Sequence, residues 1–429
     1  MVPAVASISS LLLGMGILLS GNGLLGLLVG LRGASEGFSE LMLGLIMSGF
    51  YLGYIIGAMV CPAVIRHVGH IRAFTVFAAG SAVAALAYGL LVHPVAWWAF
   101  RIISGLLLLG LYMAIESWLS ERSTEHRGEI FSIYVAITLV ALGCGQYLLL
   151  VYGISGLASF ALVAGLFCLG LIPVALTPVA QPEPIRTERL TIRRLYAVTP
   201  VGAGGALCSG LVLGSFWALA SVYGLSLGLS TADIASFIVV AIAGGAVLQW
   251  PVGWLSDRYD RRAVLVLVCL AGAVAVVMML GGLRTGWVGL LIAAFAFGGF
   301  AFSVYGLAVA QTHDRFLSHE ALEATRALLL LHGIGASIGP ILTGALMTQA
   351  AGGFAISLLI SLLGMAVFTG WRILIDPPVP ALDRTPYTPL DQTSPLASEL
   401  DPRTPAADSS PELSEILTPD VADLPAATS

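Results

Sequence analysis

The chain has 429 residues, 58% hydrophobic and only 10% charged, with a net charge of −5. Soluble domains carry roughly a quarter charged residues, so this mixture cannot build a water-facing surface, and the mean hydropathy of +0.95 excludes an ordinary soluble enzyme. No nucleic-acid partner, cofactor or metal is expected, and the predicted surroundings are the lipid bilayer.

Windows of about nineteen residues predict spans over 7–31, 40–62, 73–92, 96–117, 130–151 and 156–177, then 198–224, 233–256, 263–282, 286–310, 324–348 and 353–375. Uninterrupted apolar runs of about twenty residues predict helices, since barrel strands would read as short alternating segments. The first run lacks a basic leader and a cleavage site of small residues, so it reads as a span rather than a signal peptide. Most of the 50 glycines are spread through the apolar runs rather than gathered in loops, and small residues let membrane helices approach closely. Cys61, Cys144, Cys168, Cys208 and Cys269 show no C-x-x-C or metal spacing and read as small buried hydrophobes.

This order predicts a six-helix bundle over 1–177, a linker over 178–197 with Arg186, Arg189, Arg193 and Arg194, and a second bundle over 198–375. Residues 376–429 turn to Pro, Ser, Thr and acids, which bury too little apolar surface to fold, so a disordered acidic tail is expected there. The chain contains no lysine, and its arginines fall in alternate loops. Arg66 and Arg72, Arg122 and Arg127, the linker, Arg258 to Arg262, and Arg315 with Arg326 mark one side, which the positive-inside rule makes cytoplasmic. Both termini are then cytoplasmic, in a bacterial inner membrane.

The halves repeat. Tyr112, Glu121 and Arg122 recur as Tyr305, Asp314 and Arg315 at one offset of 193 residues, and Gly145-Gln146 meets Gly339-Pro340 with one residue of slippage. The turn Pro62 to Arg72 faces Gly253-Trp-Leu-Ser-Asp257-Arg258-Tyr-Asp260-Arg261-Arg262. That second string resembles the G-x-L-a-D-r-x-G-r-r signature of the major facilitator superfamily. The first-half copy, with Glu116-Ser-Trp118, looks most like the YcaD-type branch. The resemblance covers residues 7–375 and implies an all-α membrane protein of twelve transmembrane helices in two pseudo-symmetric six-helix bundles. It also implies a cytoplasmic gate at Asp257, Arg258, Arg261 and Arg262, and the repeat suggests the partners, Asp314 for these arginines and Glu121 for Arg66 and Arg72. The sequence departs from the signature in the first half, where Arg66 stands opposite Asp257 and Pro62 opposite Gly253. The competing reading is ordinary positive-inside charge with solvated acids.

Span 4 carries Arg101 in Arg101-Ile-Ile-Ser-Gly105, similar to the superfamily's R-x-x-x-G pattern. At 100° per residue Arg101, Tyr112 and Glu116 share one face within about 120° of arc, so that face is expected to line a cavity. Either Glu116 titrates while Arg101 sets substrate charge or tunes a proton site, or the two snorkel to opposite span ends. Asn22, Gln146, Trp217, Tyr305, Gln311 and His332 are the other candidates for the substrate and proton pathway, His332 being as well explained by packing. Gln146 stands where the superfamily's antiporter motif has proline. The expected function is secondary transport of a small-molecule substrate by a monomer, coupled to H+, with export favoured over uptake by analogy alone. A proton-coupled uptake permease is the alternative, as is a transporter-shaped sensor or scaffold acting through its tail. No G-x-x-x-x-G-K-[ST] or H-E-x-x-H string is present, so neither ATP-driven transport nor catalysis is expected.

Overall fold

A computed structural model describes residues 2–122, 127–176, 191–281, 286–316, 318–380 and 384–387. Every regular element among them is a helix: α1 (Val2–Ser35), α2 (Glu40–Val68), α3 (His70–Leu90), α4 (Pro94–Arg122), α5 (Arg127–Tyr152), α6 (Ala158–Ala175), α7 (Ile192–Val198), α8 (Pro200–Ser226), α9 (Thr231–Arg258), α10 (Arg261–Leu280), α11 (Gly286–His313), α12 (Ser318–Gln349) and α13 (Gly353–Ile375). All but α7 are long and apolar enough to cross a membrane, which gives the twelve expected spans. The short α7 covers the end of the predicted linker and the first residue of the second predicted bundle. Most of the predicted tail, 388–429, lies outside the described residues.

Polar punctuation sets the helix ends. Ser39 accepts from the Met42 amide at the start of α2, and Ser230 and Asp233 form a reciprocal capping box at the start of α9. Asp260 accepts from the Arg262 amide at the start of α10. Between α2 and α3 a single residue, Gly69 at φ 85°, closes one helix and opens the next, a conformation that a Cβ would disfavour.

Helices α1 to α6 pack among themselves, as do α8 to α13. Close contact depends on glycine: Gly53 lies on the Ile102 carbonyl and Gly105 on the Phe50 carbonyl, locking α2 to α4. The same device recurs between α9 and α11, where Gly244 lies on the Phe295 carbonyl and Gly298 on the Ala241 carbonyl. Gly145 on the Ser20 carbonyl joins α5 to α1, and Gly335 on the Leu207 carbonyl joins α12 to α8. Outward faces are apolar, with Val83, Trp250 and Val367 exposed, as lipid contact requires. Cys144 and Cys168 are exposed too, while Cys61, Cys208 and Cys269 are buried, because an apolar run does not tell a lipid-facing position from a packed one.

The two groups of helices meet through α2 with α12, α5 with α9, and α1 with α8. These contacts concentrate toward the end of the bundle that holds Glu40. There Gly44 lies on the Pro340 carbonyl, Gly344 on the Glu40 carbonyl and Gly30 on the Ser221 hydroxyl. Tyr147 and Ser236 share a hydrogen bond of 3.1 Å across the same seam.

Candidate functional site

A central cavity of about 210 Å³ lies between the two groups. Its walls come from α1, α2, α4, α5, α8, α9, α11 and α12, and no residue of α3, α6, α10 or α13 reaches it. Pockets for drug-sized ligands run to roughly 300–1,000 Å³, so this space suits a small metabolite. It extends to Arg326, roughly two turns into α12, while the glycine contacts close the bundle beyond it at the Glu40 end.

The walls are mainly aromatic and aliphatic. Trp217 packs edge-on against Phe216 at 5.6 Å and Phe302 at 5.8 Å, an arrangement suited to a flat apolar body. On the facing wall, Phe50, Tyr51 and Tyr54 project from α2. Arg101 is buried, its guanidinium 4.7 Å from the centre of the Phe50 ring, and its Nε has no hydrogen-bond partner. His332, from the other half, is also buried, edge-on to Tyr305 at 5.3 Å, and its Nδ1 is unpartnered. Asn22, Tyr112, Thr138, Gln146, Trp217 and Ser221 add further polar groups to the wall. The Gln146 amide donates to the Gly23 carbonyl at 3.2 Å and the Leu142 carbonyl at 3.1 Å, so its nitrogen also ties α5 to α1.

Three expected wall residues stand elsewhere. Glu116 is fully buried and accepts a short hydrogen bond from the Tyr134 hydroxyl of α5. It shares the angular face of Arg101, but Tyr134 covers the carboxylate and it does not reach the cavity. Tyr305 packs behind His332, and Gln311 is buried near the far end of α11. Conversely, Tyr51, Tyr54 and Arg326 belong to the wall but were not among the expected candidates. The two tyrosines at i and i+3 in an apolar span were the available signal; Arg326 reads as a loop cation from sequence because it lies close to a span end.

A second cluster occupies the α9–α10 turn. Arg261 Nε donates to Asp314 at 2.6 Å, with both side chains 1% exposed. The same guanidinium donates to the Ser256 hydroxyl at 3.2 Å and to the Thr385 carbonyl, and it lies 3.4 Å from Asp257, whose side chain is 40% exposed. Arg262 pairs with Asp260 at 2.7 Å and donates to the Asp376 carbonyl, whereas Arg258 is exposed and stacks over Trp254 at 3.6 Å. Residues 384–387, expected in a disordered tail, are instead held here. The Thr385 amide donates to Asp314 at 2.9 Å and the Tyr387 amide to Asp257 at 2.8 Å, and the Tyr387 ring fills a slot against Gly253 and Gly306. Composition is blind to this, because a four-residue segment docks through backbone amides and one ring.

The first-half turn is different. Arg66 and Arg72 are exposed and form no ion pair among the described residues, and the Glu121 side chain lies outside them. In the paired turns His70 stands opposite Arg261. It is buried, shares a 3.1 Å hydrogen bond with the Ser117 hydroxyl and lies 6.0 Å from the Trp118 ring.

Comparison with known proteins fits this arrangement. The profile of the Major Facilitator Superfamily matches residues 11–316 and 202–398. An "Uncharacterized MFS-type transporter YcaD" of Escherichia coli O45:K1 (strain S88 / ExPEC) is 28% identical over 347 residues, covering 79% of this chain and 88% of the relative. The crystal structure of the nucleoside transporter NupG is similar with a TM-score of 0.69 at 13% identity, over 85% of this chain and 98% of that one. A bacterial homolog of the human lysosomal transporter Spinster, inward-facing and occupied, gives 0.66 at 16% identity, over 89% and 98%. At these identities the two structures speak for the fold alone. With its twelve spans around a central cavity and a superfamily match along most of its length, the chain belongs to the major facilitator superfamily, a family of transporters rather than enzymes.

Proposed function

We propose that this protein moves a small organic solute across a bacterial inner membrane by alternating access, with the central cavity as its binding site and H+ as the coupling ion. One observation carries the reading: eight helices, four from each half, enclose a cavity that is sealed toward the Glu40 end and continues toward Arg326. A site between two rigid groups opens to either side when one rocks against the other. The arginine-bearing loops make the Asp257 end cytoplasmic, so this is an inward-facing state, and both termini are cytoplasmic. Asp257, Arg258, Arg261, Arg262 and Asp314 form the gate at that end, with Arg66, Arg72 and Glu121 as its first-half counterpart. The transporter acts as a monomer. Export over uptake rests on analogy.

For the proton, the carboxylate of Glu116 is the carrier and Tyr134 its hydrogen-bond donor. An ionisable side chain buried inside a membrane bundle is costly to keep there and marks proton pathways. Proteoliposomes test both parts. With an imposed pH gradient and a broad metabolite panel, a solute should accumulate and a protonophore should abolish the accumulation. Lack of movement for every solute, under every gradient, would remove the transport reading. Glu116→Gln should leave counterflow exchange intact and eliminate pH-driven accumulation; an unchanged pH dependence excludes Glu116.

The docked residues 384–387 favour one second reading, in which the tail reports the state of the gate to a cytoplasmic partner. A partner captured by the full chain and lost on deletion of 384–429, without any change in transport, would support it.

A further inference from the structure

We infer that the solute is a small organic anion, an oxyanion group on a flat apolar body. The inference rests on the transport proposal for the identity of the site, and its charge argument comes from the cavity wall. Arg101, His332 and Arg326 line the cavity, and no aspartate or glutamate does so among the described residues. Glu116, the carboxylate on the same helix as Arg101, is turned to Tyr134 instead. Arg101 therefore brings to the wall a positive charge that no carboxylate lining the cavity balances.

Two buried nitrogens sharpen the point. Arg101 is 6% exposed and His332 is 5% exposed, they come from opposite halves, and Arg101 Nε and His332 Nδ1 both lack a hydrogen-bond partner. A buried donor left unmade is costly, and a guanidinium more so because it stays charged. Tyr51 and Tyr88 face Arg101, and the Phe50 ring supplies a cation–π contact, but none of these is a counter-ion. An oxyanion of the solute would give the guanidinium the counter-ion it lacks, reach its unpartnered Nε and accept from His332 across the seam. A cationic solute would be repelled in the same low-dielectric space. Binding to both halves at once also favours the occluded state, since an anion gripped from two sides draws them together. Around Trp217 the wall is apolar and aromatic, which selects a flat body for the rest of the solute.

The test is binding to the purified full-length protein in nanodiscs by calorimetry, with benzoate, phenyl phosphate, benzamide and benzylamine. These four share one ring and differ in charge and in the oxyanion. The expected result is that benzoate or phenyl phosphate binds at least about tenfold tighter than the amide and the amine, and the preferred one of the two identifies the oxyanion. Arg101→Gln should abolish that preference, and Arg101→Lys, which keeps the charge, should retain part of it. Size-exclusion profiles matching the parent show that both variants fold. If Arg101→Gln does not fold, His332→Gln, which leaves the charge of Arg101 in place, should weaken the anion and not the amide. Equal or tighter binding of benzamide or benzylamine overturns the inference, as does no binding of any probe at millimolar concentration. Flux assays on the same preparation separate the two proposals. Anion binding without flux leaves the charge preference and removes transport, whereas flux of benzylamine alone leaves transport and removes the anion.

Discussion

The two carboxylates around Arg261 should differ sharply in what they contribute to stability. Asp314 is 1% exposed, 2.6 Å from Arg261 Nε, and also accepts from the Thr385 amide and hydroxyl. Asp314→Ala therefore strands a buried guanidinium, which costs about 3–5 kcal/mol, two orders of magnitude or more in the folded-to-unfolded ratio at about 1.4 kcal/mol per factor of ten. Asp257 lies 3.4 Å from the same guanidinium and is 40% exposed, so Asp257→Ala should cost no more than about 1 kcal/mol. Equilibrium unfolding in mixed micelles, followed by tryptophan fluorescence, reads both. Because charge removal on both sides restores neutrality, Arg261→Met with Asp314→Leu should recover most of the loss. If the two alanine variants are equally destabilised, or the double variant is no better than Asp314→Ala, the buried pair is not the organising contact of this turn.

Further outcomes follow from other contacts. Tyr387→Ala empties the slot between Gly253 and Gly306, and amide exchange in the α9–α10 turn should speed up about fivefold, the signature of roughly 1 kcal/mol of lost local stability; unchanged protection would mean that the segment does not dock. Gly344→Val sets a branched side chain against the Glu40 carbonyl and should disfavour closure at that end by about 1–3 kcal/mol, the usual cost of overpacking. Spin-label distances across the α2–α12 seam should then lengthen, and an unchanged distribution would refute a role for this contact in closure. Asp260 carries a carboxyl that burial pushes up, but hydrogen bonds from the Arg262 side chain and amide together hold it below the ordinary aspartate value. A lowered folded-state pKa stabilises above the unfolded value of about 3.9 and is lost as pH falls through the folded one. Asp260→Asn should thus be less stable than the parent at neutral pH and converge with it in strong acid; a constant gap at all pH values would contradict this.

Apolar run length, loop arginines and the 193-residue recurrence were enough to read the fold from sequence, because lipid enforces helices wherever twenty apolar residues run together. Cavity-wall positions were legible where helical phase decides, as for Arg101 and Tyr112, which share a face of α4 and both reach the cavity. Phase fails where a neighbour intervenes. Glu116 has the right angle on α4, yet Tyr134 arrives from α5 and closes it off. Arg326 shows the reverse, a cation near a helix end that the packing of α12 brings to the cavity wall.

By itself, the sequence determined the number of spans and the division of charge between loops, since these depend on the local transfer of side chains into lipid. Only the tertiary structure decided which end is sealed, which polar groups share the cavity, and that residues 384–387 sit in the α9–α10 turn. Those depend on contacts between residues far apart in the chain, such as Gly44 with Pro340 or Asp257 with Tyr387. No local pattern encodes such pairings, because whether a side chain faces lipid, a neighbouring helix or a cavity is set by how the helices cross.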